Sequence, residues 1–170
     1  LVPLALLVAV GTSAQTGRPD LGPNANMNGY RPFPANDPWN TTIDGAPVDP
    51  NSATLIAGIG SAKGLHPDWG ANLDGKPFGI PYVVVAGTTP KVKIASFMYP
   101  DECDSGPYPI PPNAPIEGGW DAPADSDRHV LIVDRDNQKL YELWQAHKTG
   151  SSYKAGTGAI FDMKTNKPRP

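Results

Sequence analysis

Residues 127–144, D-R-H-V-L-I-V-D-R-D-N-Q-K-L-Y-E-L-W, decide the local fold of this chain. An apolar run, 130–133, is followed by the polar cluster 134–137 and then by a second apolar run, 140–144. Two apolar runs separated by turn-forming residues are typical of two paired antiparallel strands. The segment therefore predicts a hairpin made of a strand, a turn and a strand.

A histidine and a carboxylate stand together at the start of this hairpin. The two-residue period of a strand puts His129 on the same face as Leu131 and Val133. A histidine beside Asp127 can act as a general base or as a metal ligand, because its ring titrates near neutral pH and a carboxylate orients one ring nitrogen. We therefore treat His129 and Asp127 as candidate catalytic residues, and the alternative is a structural histidine that caps the strand.

A second histidine lies in the segment L-H-P-D-W-G, 65–70, where proline and glycine predict a loop. His66 is followed two residues later by Asp68, which repeats the pairing of a histidine with a carboxylate. If His66 and His129 converge with one carboxylate, they form a two-histidine, one-carboxylate metal site. His66 is therefore a further catalytic candidate, in a metal-dependent hydrolase.

An acidic cluster opens the proline-rich segment 101–123. Asp101, Glu102 and Asp104 offer the hard oxygen ligands that Ca²⁺ prefers, so we consider a calcium site. The D-x-D-x-D-G spacing of a calcium loop is missing, which leaves a solvated acidic loop as the alternative.

Aromatic residues in predicted loops point to carbohydrate. Glu117 and Asp121 flank Trp120, and glycosidases use pairs of carboxylates around the scissile bond. Trp120, Trp69 and Tyr108 are candidate substrate-binding residues, because sugar rings pack on exposed aromatic faces. Glu117 is the candidate catalytic carboxylate, and the alternative is that the tryptophans plug the edges of the core.

The N-terminal residues and the net charge indicate where the protein acts and which partners it does not bind. Residues 1–14 resemble the remnant of a signal peptide, which predicts a secreted or periplasmic location. Their apolar run of about ten residues is too short for a membrane-spanning helix, which needs about 20. A net charge of −3, with 14 basic and 17 acidic residues, lacks the basic footprint of a nucleic-acid binder.

The remaining elements complete the predicted organisation. Residues 15–36 are rich in glycine, proline and asparagine and predict a flexible linker or arm, whereas 37–170 form a β-rich domain. Strands over 80–86 and 92–99 predict a second hairpin, 159–161 a fifth strand, and 50–59 a short helix. The expected fold is mainly β, a sandwich or jelly-roll-like domain with one short helix and long Pro/Gly-rich loops, and α+β is the alternative. We expect the domain to be incomplete at its C-terminus.

Four motifs carry a resemblance to a known family: H-P-D-W-G (66–70), G-I-P-Y-V-V-V (79–85), the segment 99–119 with G-P-Y-P-I-P-P-N-A-P-I-E-G-G at its end, and D-R-H-V-L-I-V-D-R-D-N-Q-K-L-Y-E-L (127–143). With these motifs the chain resembles a family of uncharacterised exported bacterial proteins over residues 34–170. The resemblance implies export and a longer domain, and it implies no activity.

Three functions follow as expectations. The first is a secreted bacterial protein that binds or processes extracellular glycans. The alternative is a non-catalytic protein of the cell envelope or matrix, which should lack a cleft with clustered ionisable groups. The third is the metal-dependent hydrolase that uses His66 and His129.

Overall fold

The computed structural model describes residues 17–64, 72–73, 76–77 and 79–169. Its helical elements are the α-helix α1 (Ser52–Ile59) and a 3₁₀ turn (Pro100–Glu102). The strands are β1 (Gly22–Pro23), β2 (Asn72–Leu73), β3 (Lys76–Pro77), β4 (Tyr82–Val85), β5 (Ile94–Phe97), β6 (Val130–Asp134), β7 (Lys139–Trp144), β8 (His147–Thr149), β9 (Ser152–Ala155) and β10 (Thr157–Asp162).

The predicted fold class, mainly β with one short helix, is confirmed. The large sheet has the strand order β1-β4-β6-β7-β10, and the small sheet has the order β5-β9-β8. Each sheet is mixed, since β4 pairs with β6 and β5 pairs with β9 in parallel while the other pairs are antiparallel. Over the described residues, neither sheet closes into a barrel.

The hairpin predicted from 127–144 is present as β6 and β7. Its antiparallel register runs from Val130 opposite Leu143 to Asp134 opposite Lys139. The turn is held by the buried carboxylate of Asp134, which accepts hydrogen bonds from the backbone N–H groups of Asp136 at 3.2 Å and Asn137 at 3.0 Å. A short acidic side chain that bonds the backbone two or three residues ahead is a common way to stabilise a turn.

The second predicted hairpin is wrong, because β4 and β5 do not pair with each other. β4 pairs with β1 and β6 in the large sheet, whereas β5 pairs with β9 in the small sheet. Val83, Val84 and Val85 are all buried, which suits a strand covered on both faces. Ala95 and Ser96 are exposed, and an amphipathic strand of this kind fits the edge of the small sheet.

The main core lies between one face of the large sheet and the small sheet. Loop residues from 108–116 complete it, so the proline-rich segment is an ordered part of the fold. The cluster consists of Val83, Val85, Ile94, Tyr108, Ile110, Ala114, Ile116, Val130, Ile132, Tyr141, Leu143, Ala146, Tyr153 and Ala155. Each fully buried valine, leucine or isoleucine side chain of this set contributes about 1.5–3 kcal/mol to stability.

The opposite face of the large sheet, here called the outer face, is partly covered by residues 17–36. This segment adds β1 to the edge of the sheet and buries Tyr30 against Val84, Val133 and Met163. The sequence predicted a flexible linker or an arm, and from Gly17 onward the structure shows an arm. Few apolar side chains suffice here, because the sheet already supplies the surface against which they pack.

The helix α1 contributes no buried side chain, and its residues Leu55, Ile56 and Ile59 are exposed. It begins two residues later than predicted and does not pack on the core. Among the described residues, no helix has the length and apolarity that crossing a membrane requires.

Candidate functional site

Three of the predicted catalytic residues meet at one end of the outer face. Glu117, Asp127 and His129 each offer a nitrogen or carboxylate oxygen, and these atoms all lie within 4.8 Å of one another. Within the described ranges, no other group of three or more histidine, cysteine and acidic side chains comes together in this way. We call these three residues the triad.

Glu117 and His129 are bound to each other through backbone and side chain. The backbone N–H of Glu117 donates to the carbonyl oxygen of His129 at 3.0 Å, and the N–H of His129 donates to Glu117 Oε2 at 3.3 Å. The same oxygen lies 2.6 Å from His129 Nδ1. This short contact fixes the ring orientation, and a hydrogen on Nδ1 leaves Nε2 with a free lone pair when the ring is neutral.

The neighbours of these two residues explain why they meet. Ile116 precedes Glu117 and Val130 follows His129, and both are buried in the main core. After Glu117 the chain turns through Gly118 and Gly119, whose φ angles of 70° and 84° favour glycine. Core packing on one side and a glycine turn on the other therefore hold Glu117 against the start of β6.

Asp127 is held by the second strand of the hairpin. Its Oδ1 accepts the indole N–H of Trp144 at 2.9 Å, and its backbone carbonyl accepts the N–H of Gln145 at 2.7 Å. Trp144 in turn stacks against Tyr99, with ring centroids 6.4 Å apart and an angle of 25° between the planes. Tyr99 is 46% exposed, so the triad has an accessible aromatic ring beside it.

Glu142 lies near the triad on the outer face, two residues before Trp144 on β7. Burial raises the pKa of its carboxyl group, while the positive charges of a protonated His129 and of Arg169 act in the opposite direction. On the same face, Val133 and Leu140 pack in the apolar cluster that the arm forms with the sheet. A partly buried acid with a raised pKa beside a histidine is a pattern found at many acid–base sites.

An open cavity of about 470 Å³ adjoins the triad in the loop 117–128. Its lining includes the carboxylates of Glu117, Asp121 and Asp127 together with Ser126. Arg128 also lines it, but the guanidinium donates to the backbone carbonyls of Ala146 at 3.1 Å, Ala122 at 2.7 Å and Trp120 at 3.4 Å. Three of its donor groups are therefore used by backbone carbonyls, and the carboxylates are the charged acceptors that the lining offers to a ligand.

Two of the aromatic residues predicted to bind substrate instead pack against other residues of the protein. Tyr108 has no exposed surface, its hydroxyl donates to the carbonyl of Asp104 at 2.6 Å, and its ring packs against Phe97 and Tyr141. It is a core residue and does not reach a ligand on the surface. Trp120 is 37% exposed, yet its indole N–H donates to the carbonyl of Ala114 at 3.1 Å and its ring packs against Tyr153.

The predicted calcium ligands do not converge. Asp101 and Glu102 are exposed in the 3₁₀ turn. Asp104 Oδ2 accepts the backbone N–H of Ile160 at 2.7 Å and the Nε–H of Arg169 at 2.7 Å. Its carboxylate is therefore neutralised by a guanidinium, and it ties Arg169 to β10.

His66 and Trp69, the other two predicted site residues, lie outside the described residues. The proposed meeting of His66 with His129 is therefore still a prediction. The residues that sequence reasoning missed are Glu142, Trp144 and Tyr99. The strand period offered a signal for the first two, because it places Glu142 and Trp144 on the face opposite the buried Tyr141 and Leu143.

Comparison with protein-family models, with curated proteins and with solved structures gave no match for this chain.

Proposed function

We propose that this protein acts outside a bacterial cell and binds neutral glycans at the triad end of the outer face. One observation carries the proposal: the carboxylate of Asp127 is hydrogen-bonded to Trp144, which stacks on the exposed ring of Tyr99. Sugars are recognised by carboxylate acceptors for their hydroxyl groups and by aromatic rings for their C–H faces. Both kinds of group stand here side by side.

The charge around the cavity supports a neutral ligand. Glu117, Asp121 and Asp127 line it, so anionic ligands are repelled. Arg128 is the basic residue of the lining, and its donors are engaged by three backbone carbonyls. Hydroxyl groups fit this lining because each can donate a hydrogen bond to a carboxylate.

The Trp144 side chain is fixed before any ligand arrives. A Cβ atom at Gly156 would collide with the ring of Trp144, so the backbone of Gly156 lies directly against that ring. Asp127 holds the indole nitrogen from another side. A ring held in this way loses little conformational entropy when a sugar packs near it.

A second candidate function, hydrolysis of the bound glycan, is favoured by the contact between Glu117 and His129. A carboxylate on Nδ1 leaves Nε2 as a general base, as in other carboxylate and histidine pairs. Burial raises the pKa of Glu142, which favours its protonated form and suits a general acid. His129 and Glu142 lie on the same face in different environments, and a general base and a general acid need different environments because their pKa values must differ.

Direct binding to a panel of neutral oligosaccharides tests the proposal. Cello-, xylo-, malto- and N-acetylchito-oligosaccharides are titrated into the purified protein by calorimetry, and we expect at least one class to bind. Trp144→Ala should abolish that binding, and Trp144→Phe should weaken it, because the ring is kept and the hydrogen bond to Asp127 is lost. Trp39→Ala is the matched control, since Trp39 is 90% exposed and lies outside both core clusters.

Failure of every class to bind would contradict the proposal and favour the envelope or matrix protein instead. Equal loss of binding in Trp39→Ala and Trp144→Ala would also contradict it. Hydrolysis is tested separately, by analysing the products after incubation with the class that binds, for the wild type and for Glu142→Gln.

A further inference from the structure

We infer that Glu117, Asp127 and His129 together bind a divalent transition-metal ion of the zinc or manganese type. Their three candidate ligand atoms lie within 4.8 Å of one another, which is close enough for one ion to contact all three after small side-chain movements. The inference stands independently of glycan binding, and a metal titration without sugar tests it alone.

The donor set determines the class of metal. One imidazole nitrogen and two carboxylate oxygens suit Zn²⁺, and the two carboxylates also suit Mn²⁺, which follows Zn²⁺ in affinity, whereas Ca²⁺ and Mg²⁺ prefer sites made of oxygen alone. The imidazole of His129 therefore distinguishes this site from an acidic cluster.

The fold holds the three ligands in place before a metal binds. Glu117 and His129 are tied to each other through their backbones, and the backbone carbonyl of Asp127 accepts the N–H of Gln145, the residue that follows β7. The indole N–H of Trp144 binds Asp127 Oδ1 and so orients that carboxylate. Hydrogen bonds of this kind from residues behind the ligands position them and raise metal affinity.

The contact between Glu117 Oε2 and His129 Nδ1 describes the metal-free form. At 2.6 Å the two atoms are joined by a hydrogen bond. Two ligand atoms of one tetrahedral zinc ion lie about 3.4 Å apart, because each metal–ligand distance is about 2.1 Å. A metal ion takes the place of that hydrogen, and the two atoms then separate by somewhat less than 1 Å. Both side chains are about a quarter exposed, so they have room to make this movement.

The adjoining cavity gives the ion access to solvent and to ligands. Glu117 and Asp127 line the cavity of about 470 Å³, so an ion bound by them faces this opening. Three protein ligands leave at least one coordination position for water or for a hydroxyl group.

Isothermal titration of the full chain, after treatment with EDTA and dialysis, tests the inference with Zn²⁺, Mn²⁺, Ca²⁺ and Mg²⁺ as separate probes. We expect one site for Zn²⁺ and Mn²⁺, with weaker binding of Ca²⁺ and Mg²⁺. Glu117→Gln, Asp127→Asn and His129→Ala should each lower the Zn²⁺ affinity about tenfold or more. Asp101→Asn is the matched control, because Asp101 is exposed in the 3₁₀ turn and is not part of the triad, and it should leave the affinity within about twofold.

A second measurement needs no variant. Mn²⁺ added to the wild-type protein should broaden the NMR signals of the amides of Glu117, Asp127 and His129 first, because paramagnetic relaxation falls steeply with distance. The inference is overturned if neither Zn²⁺ nor Mn²⁺ binds, or if broadening starts elsewhere. Unchanged Zn²⁺ affinity in a folded His129→Ala variant, as judged by circular dichroism, overturns it as well.

Discussion

The carboxylate of Glu117 and the imidazole ring of His129 are joined at 2.6 Å across twelve positions of sequence. The segment between them leaves the core at Ile116 and returns to it at Val130, both of which are buried. Two buried anchors therefore close a loop whose ends carry the two ionisable groups. The site depends on the packing of this loop as much as on the identity of its residues.

Removal of the buried guanidinium of Arg128 should destabilise this loop. In Arg128→Ala the carbonyls of Trp120, Ala122 and Ala146 lose their donor, and we expect a loss of about 2–4 kcal/mol in the free energy of unfolding. Urea denaturation measures the change. Arg18→Ala is the control, because its ion pair with Asp136 is on the surface and contributes little to stability there. Equal effects of the two substitutions would show that Arg128 does not organise the loop.

Tyr108 should behave as a core residue. Tyr108→Phe removes the hydrogen bond to the carbonyl of Asp104 and should cost about 1 kcal/mol, whereas Tyr108→Ala should cost about 3–5 kcal/mol. Both variants are compared by urea denaturation. If Tyr108→Ala unfolded at the same urea concentration as the wild type, the burial of this ring would be refuted.

The same tyrosine makes stability depend on pH at the alkaline end. Burial and the nearby Asp104 raise the pKa of Tyr108 above the value of about 10 that it has in the unfolded chain. The unfolded state therefore loses this proton first, and the contribution of Tyr108 to stability is present below pH 10 and lost as the pH rises beyond it. Thermal unfolding between pH 9 and 11 should show a steeper fall for the wild type than for Tyr108→Phe. Parallel curves would contradict this cause.

Glu142 gives the corresponding prediction in the acid range. Burial raises the pKa of its carboxyl group in the folded protein. As the pH increases above about 4.5, Glu142 therefore ionises in the unfolded chain before it ionises in the folded one. The contribution of Glu142 to stability is therefore full below that pH and is lost as the pH rises through its folded pKa. Glu142→Gln should become more stable relative to wild type between pH 4 and pH 7, as measured by urea denaturation at each pH. A difference that stays constant with pH would argue against a raised pKa.

Gly158 should tolerate no side chain, because a Cβ atom there would collide with the hydroxyl of Tyr108 and the ring of Phe97. Gly158→Ala should cost about 1–3 kcal/mol through overpacking, as read from the midpoint of denaturation. Gly45→Ala is the matched control, since a Cβ atom at Gly45 meets nothing within 4 Å, and it should change stability by less than about 0.5 kcal/mol. Similar midpoints for the two variants would mean that the core can accommodate an additional methyl group at β10.

The sequence predicted the hairpin, the pairing of His129 with Asp127 and the candidacy of Glu117, but not the approach of Glu117 to the other two residues. Alternation along 130–144 and the turn cluster are local signals, so β6 and β7 could be placed. The approach of Glu117 to His129 depends on how the loop 111–117 packs in the core, which no local pattern encodes. The failed hairpin of β4 and β5 has a similar cause, because parallel pairing with β6 and β9 joins residues far apart in sequence.

The aromatic part of the site shows the limit of predicting exposure from sequence. Tyr108 lies among prolines and glycines that predict an exposed loop, yet the isolated pairing of Val92 with Tyr108 draws it into the core. Trp144 shows the opposite error. A tryptophan in a strand predicts burial, but the face of β7 that carries Trp144 is the one left open beside the triad. The face that each residue occupies follows from strand register, which becomes known only with the fold.

NMR mapping of ligand binding tests the central claim most directly, that the triad end of the outer face is a ligand site. Oligosaccharides of the four neutral classes are titrated into uniformly ¹⁵N-labelled protein, and the indole N–H of Trp144 serves as a reporter at the site. We predict that at least one class shifts this indole signal together with the amides of Glu117, Asp127 and His129, while Trp39 is unaffected. Shifts confined to other regions, or no shift with any class, would contradict the account.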